Sequence, residues 1–384
     1  MNSHHSKTVV TQVISGDLWA GAEVQVYNLC KALMESAKVE VTAVTFNDGM
    51  LSQKLRELGV DIDVADETAL TPPQMIGIIR SHCRRHNTTV LHTHGFKENV
   101  LGIIAKVLAR VPRSIRTVHG NPETPASPSQ PLKWLIHQAD LFLGRNMQQA
   151  VVAVSSQLEA VLTPRFPGQV QKIFNFVDVD QIRQQPPEQR RNHRSRPSIG
   201  LVGRLVPVKR GDIFLRTIAL LHQKGISCSG IVVGTGPLES DLRQLASELK
   251  ITDRLEFHGF VQPVLGVLKD LDVLVMPSDH EGLPMVLLEA LALKIPIVAH
   301  RVGGISEVLA DGRCGWLVED HSPEGYAKVI ADALQQPEQM MEKSSTGLRH
   351  VQKLFGARAN IKLYEELYGA SYTGSEVGEL GPHS

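Results

Sequence analysis

Short runs rich in β-branched residues alternate with amphipathic runs from one end of this chain to the other. Runs at Thr8–Ile14, Val39–Phe46, Val60–Val64, Val90–Thr93, Ser114–Val118 and Val151–Val154 predict strands. A second series follows at Ser198–Val202, Ser227–Val233, Arg254–Phe257, Asp272–Met276, Ile295–Ala299 and Gly315–Val318. Between them a helical period places apolar residues on one face over Glu23–Met34, Lys97–Ala109, Arg210–Gln223 and Leu238–Lys250. Strands alternating with helices predict parallel sheets covered on both faces. The expected fold class is therefore α/β, with two doubly wound domains facing each other across a cleft. Ligands in such sheets bind beyond the carboxyl ends of the strands, so the loops that follow strands carry the chemistry.

The segment Gln184–Pro197 interrupts the alternation. It is polar, carries prolines and several arginines, and lacks apolar periodicity, which predicts an exposed connection. Its arginines read either as a solvated linker or as a polyanion contact. The expected boundaries are 1–184 for the first domain, 185–197 for the linker and 198–354 for the second domain. The tail after Tyr372, rich in Gly, Ser and Glu, is expected to be disordered. A chain of 384 residues suits two such domains.

Composition narrows the function. With 40 acidic and 40 basic residues, a general nucleic-acid binder is not expected. Cys30, Cys83, Cys228 and Cys314 are scattered without a CxxC pair, which suits a reducing compartment and a cytoplasmic protein. The polar start (Asn2, Ser3, His4, His5) does not resemble a signal peptide. The longest apolar run, Met285–Ala299, is broken by Glu289 and Lys294 and is not a membrane span.

Within that run lies the most informative stretch, Glu281-Gly-Leu-Pro-Met-Val-Leu-Leu-Glu289. Pro284 suits a first helical position, so a helix is expected to start near Gly282–Pro284 and to run through Leu293. Its free amides suit a phosphate. Glu289 sits among apolar neighbours, so it either faces a cavity or ligand or forms the solvated edge of a core helix. Helical rise places the two carboxylates at most ~12 Å apart, within reach of one nucleotide sugar.

Other loops add candidates. Gly21 lies at the start of the first predicted helix, where the backbone could approach a substrate, though Gly16 and Gly21 lack dinucleotide spacing. His92, His94 and His119 end two strands. They read as a metal set or as groups that bond sugar hydroxyls and take up protons, with His119 preferred. Gly203-Arg204 and Lys209 follow the first strand of the second domain and could hold a diphosphate: a fork, a point charge, and ~4 kcal/mol for a unit pair at 4 Å and moderate dielectric. Gly234 and Gly236 suggest a dinucleotide fingerprint, but Ser240 occupies the third glycine position, so the segment reads as a tight strand-to-helix turn with a proline start, bordering a nucleotide at most. Phe257-His-Gly-Phe-Val261 offers backbone to a nucleobase edge, and Gly303-Gly304 precede Glu307, whose role is open.

Taken together, these residues resemble the retaining glycosyltransferases of family 4, which have the GT-B fold. The resemblance covers nearly the whole chain. Its most specific element is Glu281 with Glu289; the others, in order, are Gly21-Ala-Glu23, His119, Asn175-Phe-Val-Asp178, Gly203-Arg204 with Lys209, Phe257-His-Gly-Phe, Pro277-Ser278 and Val302-Gly-Gly-Ile-Ser-Glu307. It implies that Arg204 and Lys209 bind the donor diphosphate together with the amides around Gly282, Leu283, Pro284 and Met285. It further implies that Glu289 bonds the nucleotide ribose and Gly21 lets the donor phosphate or acceptor sit against the first domain. The implied catalytic pair is Glu281, on hydroxyls of the transferred sugar, and His119, beside the anomeric centre. A last helix, here Leu354–Tyr368, would cross back to complete the first domain (about 355–370). Two positions depart from the family pattern: Ala20 precedes Gly21 where a second glycine is common, and Phe176 follows Asn175 in place of a glycine.

The resemblance implies transfer from a nucleoside-diphosphate sugar, UDP-linked by expectation, to a glycan or lipid-linked acceptor in surface polysaccharide or lipopolysaccharide assembly. No metal and no cofactor is implied; the nucleotide sugar is a co-substrate. Retention would ordinarily suggest a carboxylate nucleophile, which the resemblance does not supply; front-face attack is the usual scheme. A lipid-linked acceptor would bring the protein to a membrane surface, and Lys106, Arg110, Arg113 and Arg116 beside Val107, Leu108 and Val111 read either as a basic face for it or, the favoured reading, as an ordinary amphipathic helix and its loop. Competing readings are a non-catalytic nucleotide-sugar binder and an NAD-dependent oxidoreductase resting on Gly234 and Gly236. The loop Asn121–Pro131 is the expected acceptor surface.

Overall fold

The computed structural model describes residues 7–120, 131–184 and 196–369, without the side chains of 132 and 133. The arginine-rich connection, the tail and most of the expected acceptor loop lie outside these residues.

The first domain is a seven-stranded parallel sheet. Its strands are β1 (Thr8–Ile14), β2 (Val39–Thr45), β3 (Asp61–Val64), β4 (Val90–Thr93), β5 (Arg113–Val118), β6 (Ala150–Ala153) and β7 (Val170–Lys172), in the order β3-β2-β1-β4-β5-β6-β7. The second domain is a six-stranded parallel sheet of β8 (Ser198–Val202), β9 (Ser229–Val233), β10 (Leu255–Gly259), β11 (Val273–Met276), β12 (Ile297–His300) and β13 (Trp316–Val318), ordered β10-β9-β8-β11-β12-β13. Both sheets reverse their winding once, between β1 and β4 and between β8 and β11. These are the two places where crevices open at the strand ends.

Alternation along each strand explains the layers. On β1, Val10 and Ile14 pack with Val26, Leu29 and Leu33 of the helix Gly21–Met34, while Val13 turns to the opposite face with Met75, Ile79 and Leu101. In the second domain Ile199, Leu201, Val273 and Val275 face the helix Gly211–Gln223 and Tyr326, whereas Leu274, Met276 and Ile297 face the helix Met285–Ala292. That second cluster does not stop at the domain boundary. Val151, Ala153, Leu158 and Val177 of the first domain join Leu283, Met285 and Leu287 of the second in one apolar cluster.

The last helix, Ala357–Gly369, returns to the first domain. Val177 accepts from Ala357 (3.1 Å) and donates to Phe355 (2.9 Å), guiding the chain across. Tyr364, Leu367 and Tyr368 then bury their side chains against the β1–β4–β5 face. Phe176, a departure from the family pattern, is fully buried there; its amide donates to Gln25 and its carbonyl accepts from Asn28. The large side chain fills core that a glycine would leave open.

The edge strand β7 has no counterpart among the expected strands. Its sequence, Val-Gln-Lys, holds no apolar run, and it pairs only on its β6 side. Of the two readings of 106–116, the structure agrees with the ordinary amphipathic helix and its loop, and the basic face does not form. Lys106 is buried and donates to the Met147 carbonyl (3.1 Å), and Arg116 forms a buried ion pair with Asp140 (2.6 Å). Arg113 is spent on the Tyr368 carbonyl, leaving Arg110 exposed beside Val107 and Leu108. No helix among the described residues is long and apolar enough to cross a membrane.

Candidate functional site between the two domains

The loops that follow β8 and β11 meet at the second crevice. The β8 loop carries Gly203, Arg204 and a short turn Pro207–Lys209; the β11 loop carries Ser278 to Pro284. The amide of Asp279 donates to the Val208 carbonyl (2.8 Å), tying the two loops together. Lys209 Nζ then donates to Glu281 Oε1 at 2.5 Å, and the Glu281 side chain is only 9% exposed. This ion pair presents one positive and one negative group side by side at the crevice. Arg204 lies exposed at its edge. Arg210 is drawn away: it adopts a left-handed backbone (φ 49°) and spends its fork on Asp212 and Asp279.

The helix expected from Pro284 starts one residue later, at Met285, and ends at Ala292. Pro284 is extended (ψ 120°) and caps the helix with its carbonyl, which accepts from Leu287 at 3.2 Å. Gly282 and Leu283 are thus a loop, not a first turn. The reason is a tight contact across the cleft: a side chain on Gly282 would place Cβ 2.0 Å from the His119 carbonyl oxygen. The first domain also holds this loop through Asn175, whose side-chain amide donates to Leu283 O at 2.9 Å. Gly304 donates to the Gly282 carbonyl (2.9 Å) from behind. Gly21, at the start of its helix, faces the Met285 side chain.

Glu289 sits one turn inside the Met285–Ala292 helix, half-buried, amid Leu287, Leu288, Ala290 and Leu291. Burial pushes its carboxyl up to about 7, with no neighbouring charge to oppose the shift. Such a group is satisfied by a hydroxyl or another uncharged donor-acceptor.

In the first domain, His92, His94 and His119 come together on one face of the sheet. His94 Nδ1 lies 3.0 Å from His119 Nε2, and the His92 and His94 rings are 4.3 Å apart. Desolvation drives His119 down to about 4 and His92 to about 3, and His94 also falls well below its ordinary value. All three are therefore neutral near pH 7. Among the described residues no group of His, Cys, Asp and Glu is arranged to hold a metal ion.

Two further loops pack against the β8 loop and against each other. A Cβ on Gly234 would lie 1.9 Å from the Gly203 carbonyl, and one on Gly236 2.4 Å from that of Leu205. The two glycines thus make room for the β8 loop. The carbonyl of Gly259 in the Phe257–Val261 loop is taken by the Gly234 amide (2.7 Å). Glu307, open in the sequence, reaches across to the first domain: its Oε2 accepts from the Ser156 amide at 2.8 Å and Oε1 from the Ser156 hydroxyl. Gln12 and Tyr368 enter the neighbourhood of His119 and His94 without having been selected. Their signal was a polar residue in an apolar strand, as at Gln12.

Residues 19–181 match the model for Glycosyltransferase Family 4, and residues 196–336 that for Glycosyl transferases group 1. The chain belongs to glycosyltransferase family 4. Among relatives of this family 4 glycosyltransferase is the D-inositol 3-phosphate glycosyltransferase 2 of Catenulispora acidiphila, 32% identical over 228 residues, 53% of this chain and 51% of that protein. The match thus spans about half the length of that relative. The D-inositol 3-phosphate glycosyltransferase of Corynebacterium glutamicum is 26% identical over 78% of this chain and 77% of its own. Among solved structures, Anabaena HepE in complex with UDP-glucose superposes with a TM-score of 0.79 at 18% identity, covering 94% of this chain and 98% of the other. The family 4 chain shares with it the GT-B fold.

Proposed function

We propose that this protein transfers a sugar from a nucleoside-diphosphate sugar, UDP-linked, to a glycan or lipid-linked acceptor, with retention of anomeric configuration. The observation that carries the reading is the Lys209–Glu281 pair at the mouth of the second crevice, with the amides of the Met285–Ala292 helix beside it and Glu289, its carboxyl pushed up to about 7 by burial, beyond. Lys209 and Arg204 take the diphosphate and stabilise the charge that develops as it leaves, with the loop and helix amides of Gly282 to Met285 sharing the load. A metal is not required by this arrangement, because the charge is met by side chains and backbone donors. Glu281 orients hydroxyls of the transferred sugar, and Glu289 bonds the ribose. Gly21 and His119 close the donor from the first domain. The UDP-glucose bound by the Anabaena neighbour supports the uridine assignment.

Membership of surface polysaccharide or lipopolysaccharide assembly is the acceptor class we favour. The relatives named for D-inositol 3-phosphate support a smaller, phosphorylated acceptor as the second reading.

Thermal melting with UDP, GDP, ADP, dTDP and NAD tests the donor. UDP at about a hundred times its dissociation constant adds ~2.7 kcal/mol of stability, and Lys209→Ala abolishes the shift. A response to NAD alone, or none to any nucleotide, rejects the reading. Product analysis with a lipid-linked sugar and with inositol phosphate then separates the two acceptors.

A further inference from the structure

The face of the first sheet beneath the last helix carries an unbroken run of polar side chains through an apolar layer. Because alternate residues share a face, Gln12 of β1, His92 of β4 and Thr117 of β5 all point the same way, and His94 and His119 continue it just beyond the strand ends. Gln12 pairs directly with His92 in the sheet register. Tyr368 of the helix Ala357–Gly369 lies over them.

The hydrogen bonds connect in one sense. Gln12 Nε2 donates to the Tyr368 hydroxyl (3.3 Å), which lies 2.8 Å from His92 Nδ1; His92 Nε2 lies 2.8 Å from the Thr117 hydroxyl. With its amide nitrogen turned to Tyr368, Gln12 presents its carbonyl Oε1 to His94 Nε2 at 2.7 Å. A carbonyl only accepts, so His94 carries its proton on Nε2 and has a bare Nδ1. That bare nitrogen accepts from His119 Nε2 (3.0 Å), which leaves the Nδ1 of a neutral His119 without a proton. His119 Nδ1 is buried and has no partner in the protein. Running every bond the other way would instead leave a buried N–H with no acceptor, the costlier orphan.

We propose that Gln12, His94 and Tyr368 are positioning residues that hold His119 in the Nε2-protonated tautomer, so that its bare Nδ1 accepts a hydrogen bond from a hydroxyl of the transferred sugar. The inference rests on the donor reading above, because the hydroxyl belongs to the donor. The placement of His119 supports it: its carbonyl lies against Gly282 of the donor loop. The three rings stay neutral because burial disfavours the imidazolium form. The last helix thereby acts on the cleft through Tyr368, although it belongs to neither donor loop.

Long-range proton–nitrogen NMR of the nitrogen-15-labelled full chain at pH 7 reads the tautomer directly. His119 is assigned by its loss in His119→Gln. The expected result is His119 protonated at Nε2 and bare at Nδ1, with both tautomers populated in Gln12→Met and in Tyr368→Phe. Adding UDP-glucose should move the Nδ1 resonance of the wild-type protein. In parallel, Gln12→Met should lower kcat for consumption of the donor by about tenfold, the loss of one oriented hydrogen bond, while the donor KM changes much less. A proton on Nδ1 in the wild-type protein, or a tautomer unmoved by both variants, overturns the proposal. Tyr368→Phe keeps the ring and the packing, so it carries the test if Gln12→Met does not fold. The tautomer is read without nucleotide. A protein with the expected tautomer and no melting response to any nucleotide would reject the donor reading, and with it the assigned hydroxyl, whereas a nucleotide response with the wrong tautomer would reject the relay alone.

Discussion

Glu307 of the second domain accepts two hydrogen bonds from Ser156 of the first, one from its amide at 2.8 Å and one from its hydroxyl. Ser156 opens the helix Ser156–Leu162, so the carboxylate stands at the positive end of a helix on the opposite domain. Lys172 Nζ donates to the same hydroxyl at 2.7 Å. The contact is a polar clasp beside the shared apolar cluster. It holds the cleft at the opening in which Gly282 touches His119.

Glu307→Ala removes the clasp and leaves both cores intact. Hydrogen bonds to a charged group contribute about 1.5–3 kcal/mol each, so the closed arrangement loses stability relative to open ones. Small-angle scattering of the variant is expected to show a larger radius of gyration without ligand, and UDP is expected to bind more weakly. An unchanged radius and unchanged affinity would show that the apolar cluster alone sets the closure.

Gly282→Ala tests the same approach from the steric side. Its Cβ would lie 2.0 Å from the His119 carbonyl, so the donor loop must withdraw from the first domain. The variant is expected to fold, with a melting temperature close to wild type, and to bind UDP at least tenfold more weakly, a loss of about 1.4 kcal/mol. Wild-type affinity would mean that the loop does not need this contact to hold the nucleotide.

Much of this was legible in sequence. The ends of β1, β4 and β8 coincide with the expected Thr8–Ile14, Val90–Thr93 and Ser198–Val202, because each is a short, mainly apolar run that is buried along most of its length. The loops after β8 and β11 converge as strand-end loops at a winding reversal must. What escaped depends on contacts far apart in the chain. Lys106 and Arg116 look like surface charges until Met147 and Asp140 are brought to them. Pro284 suits a first helical position, yet the preceding loop is held by Asn175 and lies against the His119 carbonyl, and the helix begins one residue later. Gln12 is one polar residue in a strand, and its purpose shows only when Tyr368, 356 residues later, lies over it.

Glu289 predicts an unusual pH dependence. Its folded pKa of about 7 lies above the ordinary carboxylate value, so between about 4.5 and 7 the native state binds more protons than the unfolded state. This group therefore favours folding below pH 4.5 and loses that contribution as pH rises through 7. Glu289→Gln should stabilise the ligand-free protein at pH 8 by up to about 3 kcal/mol, reduced by water at the cleft, and change little at pH 4.5. Urea unfolding at the two pH values measures it; equal effects at both would show that the carboxylate is solvated.

The histidines act with the opposite sign. His119 at about 4 and His92 at about 3 stay neutral in the native state while an unfolded histidine takes up a proton near 6.5. Their contribution is full above pH 6.5 and is lost as the pH falls toward 4. Each adds a slope of about 1.4 kcal/mol per pH unit across that window. His119→Gln should flatten the acid limb of a stability profile by about that amount, and an unaltered slope would place the His119 ring in water.

The last helix also imposes an order on synthesis. A chain emerging from its N-terminus can lay down β1 through β7 and still lack the roof of its first sheet, because Tyr364, Leu367 and Tyr368 come after the whole second domain. Until then Gln12 Nε2 and His92 Nδ1 lack the Tyr368 hydroxyl, and the apolar face around Val10 and Ile115 stays open. Completion of the first domain therefore waits on the second, so a nascent chain released early would expose that face to chaperones, while the finished chain covers it with its own final turns.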